Sequence, residues 1–119
     1  QAGYNNSIAA IEWAKQNVAA KLQHLSIMGA SAGSLGAQVW SRTLLTEFKS
    51  GGRSYASATV LSDSYLGVFP ERTQPYVLSQ IFRVCDVPLG KGWSKPCGGD
   101  MTVQDAFAET MNMFPDVAF

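Results

Sequence analysis

The order of hydrophobic and polar positions divides the first half of the chain into helix, strand and helix. A first helix is predicted from Asn6, capped by Asn5 or Asn6, because apolar residues then recur at helical spacing: Ile8, Ile11, Ala14 and Val18. After a polar break at residues 21–23, the apolar run Leu25–Met28 predicts a short strand. A second helical pattern extends to Phe48, where a pair of glycines follows and ends it. The predicted buried face of this helix consists of Leu35, Val39, Trp40, Leu44 and Phe48.

The second half of the chain continues the alternation. Residues Ala56–Leu61 predict a second strand that ends at Ser62-Asp63. A helix is predicted after Pro75, and its apolar residues are Tyr76, Val77, Leu78, Ile81 and Phe82. Residues 86–100 hold two prolines and four glycines. That composition is typical of a loop.

The last elements complete an α/β pattern. Thr102 and Asp105 have the spacing of a capping box, which predicts a final helix that extends to Phe114. Val117–Phe119 then predicts the start of another strand. Alternating helices and strands are typical of a parallel sheet with flanking helices, but two and a half strands leave its edges and faces without neighbours. We therefore expect residues 1–119 to be an internal segment of one larger α/β domain, with a parallel sheet that is incomplete at both ends.

Composition and charge exclude several classes of partner. The chain of 119 residues is 46% hydrophobic and 15% charged, which is typical of a globular domain. Nine basic residues balance nine acidic ones, and neither sign forms a block. We therefore expect no nucleic-acid partner and no attraction to an anionic membrane surface. No apolar run approaches the roughly 20 residues of a membrane-spanning helix, so no membrane span is expected.

The most specific motif is the G-x-S-x-G segment between the first strand and the second helix. In this context the serine occupies a tight, strained turn that exposes its hydroxyl. Ser31 is therefore the candidate nucleophile, and the backbone N–H of Ala32 is the candidate donor of an oxyanion hole. The flanking Gly29 and Gly33 are expected for steric reasons, because a side chain at either position would collide where the helix meets the strand.

The partners that would activate this serine are harder to place. His24 is the one histidine of the chain, and it precedes Ser31 at the opposite end of the strand, so we expect the catalytic base to lie outside these residues. Asp63 ends the next strand at the same edge as Ser31. Three roles stay open for Asp63: the acid of a catalytic triad, a residue that orients the site from a neighbouring position, or a turn-forming residue.

Cysteine and tryptophan positions add a few structural expectations. Cys85 and Cys97 are either two free thiols or a disulfide that pins the loop, and their spacing does not decide between the two. Two cysteines and one distant histidine are too few for a zinc site, so no metal is expected. Trp13 and Trp40 fit helix faces and are expected in the core, whereas Trp93 in the loop is expected to be exposed.

The placed motifs resemble the pectin acetylesterase family, which includes the Notum carboxylesterases. The matching pieces occur in the family's order and are Asn5–Trp13, Ser26–Gly36, Val60–Ser64, Pro96-Cys97 and Phe114–Phe119. The elbow around Ser31, which resembles the family's G-x-S-A-G, is the most specific of these pieces. Two positions depart from the family: Tyr65 replaces the glycine of Asp-Ser-Gly, and Ser34 replaces a glycine or alanine.

The resemblance implies a secreted serine carboxylesterase with an α/β-hydrolase fold, acting on acetyl or acyl esters of a polysaccharide or glycoprotein. Ser31 takes the nucleophile role and Ala32 the oxyanion role, and no cofactor is implied. The family's triad acid and histidine follow the strand that begins here at Val117, so both are expected beyond Phe119.

That placement leaves Asp63 and Tyr65 a role either in orienting the site from a neighbouring position or in the pocket wall. Secretion favours disulfides for Cys85 and Cys97, which would pair with each other or with cysteines outside this segment. The chain alone is then expected to be inactive, because it lacks the base. Two alternatives stay open: another α/β-hydrolase, such as a lipase or peptidase, and a non-catalytic binding protein with this fold.

Overall fold

Helices and strands alternate along the chain, as the hydrophobic pattern predicts. The computed structural model describes residues 2–64, 69–70 and 73–119. Its regular elements are α1 (Ala2–Asn17), β1 (Lys21–Ala30), α2 (Ala32–Glu47), β2 (Ser54–Asp63), α3 (Thr73–Tyr76) and α4 (Val103–Met113). A π-helical turn, Val77–Ile81, continues α3, and two short 3-10 turns follow at Val84–Asp86 and Pro88–Gly90.

The two strands form a parallel sheet with helices packed against it. The register pairs Lys21 with Ser54 and Ala30 with Asp63, so both strands end at the same edge. Ala118 extends the sheet beyond β2, since its N–H donates to the carbonyl of Ala58 at 3.1 Å. This parallel bridge lies where the sequence predicts the start of a further strand.

The core lies between one face of the sheet and α2. Ile27 and Val60 pair in the register and are 6% and 1% exposed, and Leu45 of α2 packs against them with no exposed surface. The opposite face is open at its centre, where Met28 and Leu61 pair and are 66% and 48% exposed. Side chains alternate between the faces of a strand, so α2 covers only the face that carries Ile27 and Val60.

Several predicted element boundaries are wrong. Helix α1 begins at Ala2, so Asn5 and Asn6 lie inside it and cap nothing at its start. Strand β1 begins at Lys21, and the expected polar break belongs to the strand. Lys21 and its polar neighbours are tolerated there because they are exposed on an edge strand. The helix predicted after Pro75 begins at Thr73, and a proline is tolerated in a first turn because N–H groups there have no helical partner.

The buried face of α2 is also different from the predicted one. Val39 and Phe48 are buried as expected, but Leu35, Trp40 and Leu44 are only partly buried. Small and polar residues occupy much of the buried face: Ser34, Ala37, Gln38 and Ser41. The buried hydroxyl of Ser34 accepts a hydrogen bond from Gln38 Nε2 at 3.2 Å, which satisfies both polar groups in the interior.

The capping box at the start of α4 is confirmed. The Thr102 hydroxyl accepts a hydrogen bond from the Asp105 N–H at 3.0 Å, and the Asp105 carboxylate accepts one from the Thr102 N–H at 2.9 Å. Lys95 Nζ also contacts the Asp105 carboxylate at 2.8 Å. The hydrogen bond from Lys95, followed by those from Thr102, lowers the pKa of Asp105 below its ordinary value.

Candidate active site

Ser31 occupies a one-residue turn between β1 and α2. Strand β1 ends at Ala30 and helix α2 begins at Ala32, so the chain reverses its backbone conformation at Ser31 alone. The turn gives Ser31 a φ of 53° and a ψ of −122°, a conformation that side-chain-bearing residues rarely adopt. Ser31 is exposed, and its side chain caps no N–H of α2. The sequence motif therefore coincides with the strained, exposed turn that a nucleophile elbow requires.

Two backbone hydrogen bonds hold this turn in place. The N–H of Ser31 donates to the carbonyl of Asp63 at 3.0 Å, which ties the turn to the end of β2. The carbonyl of Ser31 accepts from the N–H of Ser34 at 2.9 Å, which ties it to the first turn of α2. The conformation of Ser31 is thus fixed from both sides by atoms of the main chain.

The two glycines of the motif have different roles. A Cβ added to Gly29 would lie 2.0 Å from the carbonyl oxygen of Gly33 and 2.9 Å from the backbone nitrogen of Ser34. Only glycine therefore fits at position 29 without moving the backbone. A Cβ on Gly33 would meet no atom within 4 Å, so the steric role expected for Gly33 is wrong. The close approach is one-sided: the first turn of α2 lies over Gly29.

Ala32 presents a backbone donor beside Ser31. As the first residue of α2, it has no carbonyl one turn earlier in the helix to accept its N–H. The N-terminus of a helix carries partial positive charge, which favours an anion at this position. Ala32 is exposed, so its N–H lies at a surface that a substrate can reach. These are the properties that an oxyanion-hole donor needs.

Asp63 lies at the same sheet edge as Ser31, as the sequence predicts. It pairs with Ala30 in the register, and its carboxylate accepts a hydrogen bond from the Ser64 hydroxyl at 3.0 Å. Ser64 has a φ of 63°, so this strand end is also strained. The carboxylate of Asp63 is exposed. Tyr65, expected beside it in the pocket wall, lies outside the described residues.

His24 does not reach Ser31. Ser31 lies seven positions after His24 along the chain, beyond the end of β1, and seven residue steps in an extended strand span roughly 23 Å. The Nδ1 atom of His24 lies 2.7 Å from the hydroxyl of Ser57 on β2, and this pair is exposed. The imidazole therefore contacts Ser57, away from the sheet edge that carries Ser31, and cannot act as a base for Ser31.

A cavity of about 460 Å³ opens beside the elbow. Helices α1 and α2 form two of its walls, and the segment from Leu78 to Leu89 forms the third. Ala32 lies on its lining, so the cavity adjoins the candidate oxyanion donor. No sequence pattern indicates this cavity. Tyr4, which lines it, precedes the predicted first helix and stacks on Trp40 at 5.7 Å only in the folded chain.

The loop after the π-helical turn is closed by a disulfide between Cys85 and Cys97, whose Cα atoms lie 5.4 Å apart. Trp93 of this loop is partly buried and not exposed as expected, because its indole N–H donates to the Leu89 carbonyl at 2.7 Å. Arg42 lies over its ring at 4.8 Å. Trp13, expected in the core, is 65% exposed on α1, so that expectation is wrong.

Residues 2–64, 69–70 and 73–119 contain neither a metal-binding cluster nor a membrane-spanning helix. That part of the chain has no group of three or more His, Cys, Asp or Glu side chains placed to hold a metal ion. It also has no helix with the length and apolarity to cross a membrane. No protein family, curated protein or solved structure matches the chain, so the functional argument depends on the geometry around Ser31.

Proposed function

We propose that Ser31 is the nucleophile of a serine carboxylesterase of pectin acetylesterase type, and that residues 1–119 are the segment of an α/β-hydrolase domain that carries the nucleophile elbow. The observation that carries the proposal is the backbone of Ser31. A serine at φ 53° is strained, exposed and fixed by two main-chain hydrogen bonds between a parallel strand and a helix. Glycine would adopt this backbone conformation with less strain, so the presence of a serine here favours a role for its hydroxyl.

In the proposed reaction, the Ser31 Oγ attacks the carbonyl carbon of an ester while a base removes its proton. The oxygen of the tetrahedral intermediate becomes negative and accepts a hydrogen bond from the N–H of Ala32. The alcohol leaves with a proton returned by the base, and the acyl group stays on Ser31. Water then attacks the acyl-enzyme, releases the carboxylic acid and restores the hydroxyl. This reaction requires no metal or organic cofactor.

The proposal needs an imidazole that residues 1–119 do not supply, because His24 is their one histidine and lies far along β1. The open face of the sheet is a second argument that this segment belongs to a larger domain. This face exposes Met28 and Leu61, and parallel sheets are usually covered on both faces. Further chain that covers this face and brings the triad acid and histidine to the edge at Asp63 would complete the site. Asp63 then orients or lines the site.

The substrate class of the proposal comes from the sequence resemblance: acetyl or acyl esters of a polysaccharide or glycoprotein. Secretion is proposed on the same ground, and the Cys85–Cys97 disulfide is compatible with it. The balanced charge of nine basic and nine acidic residues gives no attraction to nucleic acid.

Hydrolysis of para-nitrophenyl acetate tests the proposal. The 119-residue chain alone is expected to show no turnover above buffer, because it lacks the base. A protein that contains this chain together with the triad acid and histidine is expected to turn over the ester and to lose that turnover with Ser31→Ala. Ser50→Ala is the matched control, since Ser50 is an exposed serine whose hydroxyl donates to the Glu47 carbonyl within the same turn. Turnover that survives Ser31→Ala would refute the role of Ser31.

A further inference from the structure

We infer that the cavity beside α2 is a binding site for an uncharged, aromatic small molecule of one or two rings. This binding requires neither the hydroxyl of Ser31 nor ester hydrolysis, so it goes beyond the proposed function. The volume of about 460 Å³ is within the range of roughly 300–1,000 Å³ that small-molecule sites occupy. It is also several times larger than an acetyl group needs.

The lining of the cavity sets the chemistry of the ligand. None of its described lining residues is charged, and their side-chain polar groups are the hydroxyls of Tyr4 and Ser7 and the indole N–H of Trp40. The Ser7 hydroxyl already donates to the Gly3 carbonyl at 3.0 Å. A cation bound here would lose hydration without gaining a counter-charge, which is unfavourable. An anion would meet only the partial positive charge at the start of α2, near Ala32, and no full counter-charge among the described lining residues. The ligand is therefore uncharged.

Aromatic side chains favour a planar ligand. Tyr4 and Trp40 stack at 5.7 Å with 20° between their planes, and both line the cavity. Phe82 lines the cavity from the opposite segment and is 50% exposed. Rings stack in offset or edge-to-face contact with such side chains, which adds to the gain from apolar burial. A fused or linked pair of aromatic rings matches this lining.

The wall opposite α2 is held in shape before any ligand binds. Val84 and Leu89 line the cavity next to or within the loop that the Cys85–Cys97 disulfide closes. A Cβ on Gly90 would lie 2.6 Å from the Cys85 Cα, so the loop packs tightly on the disulfide. Arg42 of α2 donates to the Gly92 carbonyl at 2.8 Å and ties the same loop to the helix. A site that is formed in advance needs little ordering on binding.

Gly36 provides a way to fill the cavity from the α2 wall. It lines the cavity, and a Cβ added there meets no atom within 4 Å. Gly36→Phe should therefore place a ring in the space that the ligand uses, without a clash at the backbone. Gly36→Ala is the matched control, because it makes the same change in backbone freedom and leaves most of the volume empty. Circular dichroism checks that both variants keep the helical content of the parent.

Fluorescence titration with 1-aminonaphthalene, an uncharged amine with two fused rings, tests the inference. Saturable binding at one site is expected. Gly36→Phe should weaken it about tenfold or more, equivalent to about 1.4 kcal/mol, whereas Gly36→Ala should change it less than about twofold. Ser31→Ala should leave the affinity unchanged, which separates this site from the proposed catalysis. If Gly36→Phe does not fold, Phe82→Ala replaces it, since this half-exposed ring can be removed with little loss of packing and affinity should still fall several-fold.

Three outcomes would overturn the inference. The first is an affinity that is the same in Gly36→Phe and Gly36→Ala, or in the parent and Phe82→Ala, because the probe would then lie elsewhere. The second is equal affinity for 1-aminonaphthalene-4-sulfonate, because the described lining residues offer no full positive charge to its sulfonate. The third is the absence of saturable binding by the parent protein. In a protein that contains this chain together with the triad acid and histidine, loss of ester hydrolysis in Ser31→Ala with binding retained supports both proposals separately.

Discussion

Replacing Gly29 by alanine should be among the most destabilising single-methyl additions in this protein. The added Cβ would lie 2.0 Å from the Gly33 carbonyl oxygen and 2.3 Å from its carbon. Contacts of a real Cβ are essentially never closer than 3.0 Å, so the Gly33 oxygen must retreat by at least 1.0 Å (3.0 − 2.0). Both contacts are with the main chain, so no side chain can rotate to relieve them. The first turn of α2 has to move as a unit.

The size of the effect follows from what that movement disturbs. Overpacking in a rigid site costs about 1–3 kcal/mol. The shift also strains two hydrogen bonds of the elbow, from Ser31 N–H to the Asp63 carbonyl and from Ser34 N–H to the Ser31 carbonyl. A hydrogen bond makes a net contribution of about 1 kcal/mol to the free energy of unfolding. A loss of about 3–4 kcal/mol in the free energy of unfolding is expected, which is a large part of the 5–15 kcal/mol typical of a domain.

Urea unfolding followed by tryptophan fluorescence measures this loss, and Gly33→Ala is its matched control. Gly33 lies in the first turn of α2 with no atom within 4 Å of an added Cβ. Alanine there should leave stability unchanged or raise it by up to about 1 kcal/mol, since alanine is the better helix former. With a urea slope of about 1–3 kcal/mol/M, Gly29→Ala should lower the midpoint by about 2 M. Similar midpoints for the two variants would refute the one-sided packing of α2 over Gly29.

Three further predictions concern the elbow, the loop and α4. Ser31→Gly should be about 1 kcal/mol more stable than Ser31→Ala in the same urea titration, because only glycine relieves the positive φ; equal stabilities would show that the turn is unstrained. Replacing Cys85 and Cys97 by serine should lower the free energy of unfolding by about 3 kcal/mol, and dithiothreitol should then have no further effect on thermal unfolding. The hydrogen bond from Lys95 is the main cause that lowers the pKa of Asp105 from its ordinary value of 3.8. The ionised carboxylate therefore stabilises the fold at pH values above 3.8, and this stabilisation is lost as the pH falls through the folded pKa. Asp105→Asn should therefore be most destabilising at neutral pH and less so below about pH 4 in urea titrations, and a gap that does not change with pH would contradict this.

Local sequence signals predicted the parts of the site that local structure forms. The turn at Ser31, the strand end at Asp63 and the cap at Thr102 each depend on a few neighbouring residues, and the structure has all three. The start of α1 was not predictable in this way, because Ala2–Asn5 lacks an apolar repeat. Nor was the open sheet face, since the pairing of Met28 with Leu61 depends on the register of two strands far apart in sequence.

The cavity could not be predicted for the same reason. It forms only when the first turn of α1 and the segment from Leu78 to Leu89 meet on α2, and periodicity within one helix carries no information about that meeting. Trp40 illustrates the point: its helical spacing predicted a core residue, yet it stacks on Tyr4 and is only partly buried. The contact between Tyr4 and Trp40 therefore depends on tertiary structure, which local sequence patterns do not predict.

Two serines at the sheet edge, Ser31 and Ser64, have strained backbone conformations, but their hydroxyls differ in the contacts they make. Ser31 and Ser64 follow the ends of neighbouring parallel strands, and their φ angles are 53° and 63°. A residue with a side chain costs about 1–2 kcal/mol in such a conformation, which glycine avoids. For Ser64 the hydroxyl has a structural use, since it donates to the Asp63 carboxylate at 3.0 Å. The Ser31 side chain caps no N–H of α2 and lies exposed beside Ala32, whose N–H has no acceptor within the helix. Helix capping therefore gives no reason for the strain at Ser31, which supports the proposal that its hydroxyl is a nucleophile.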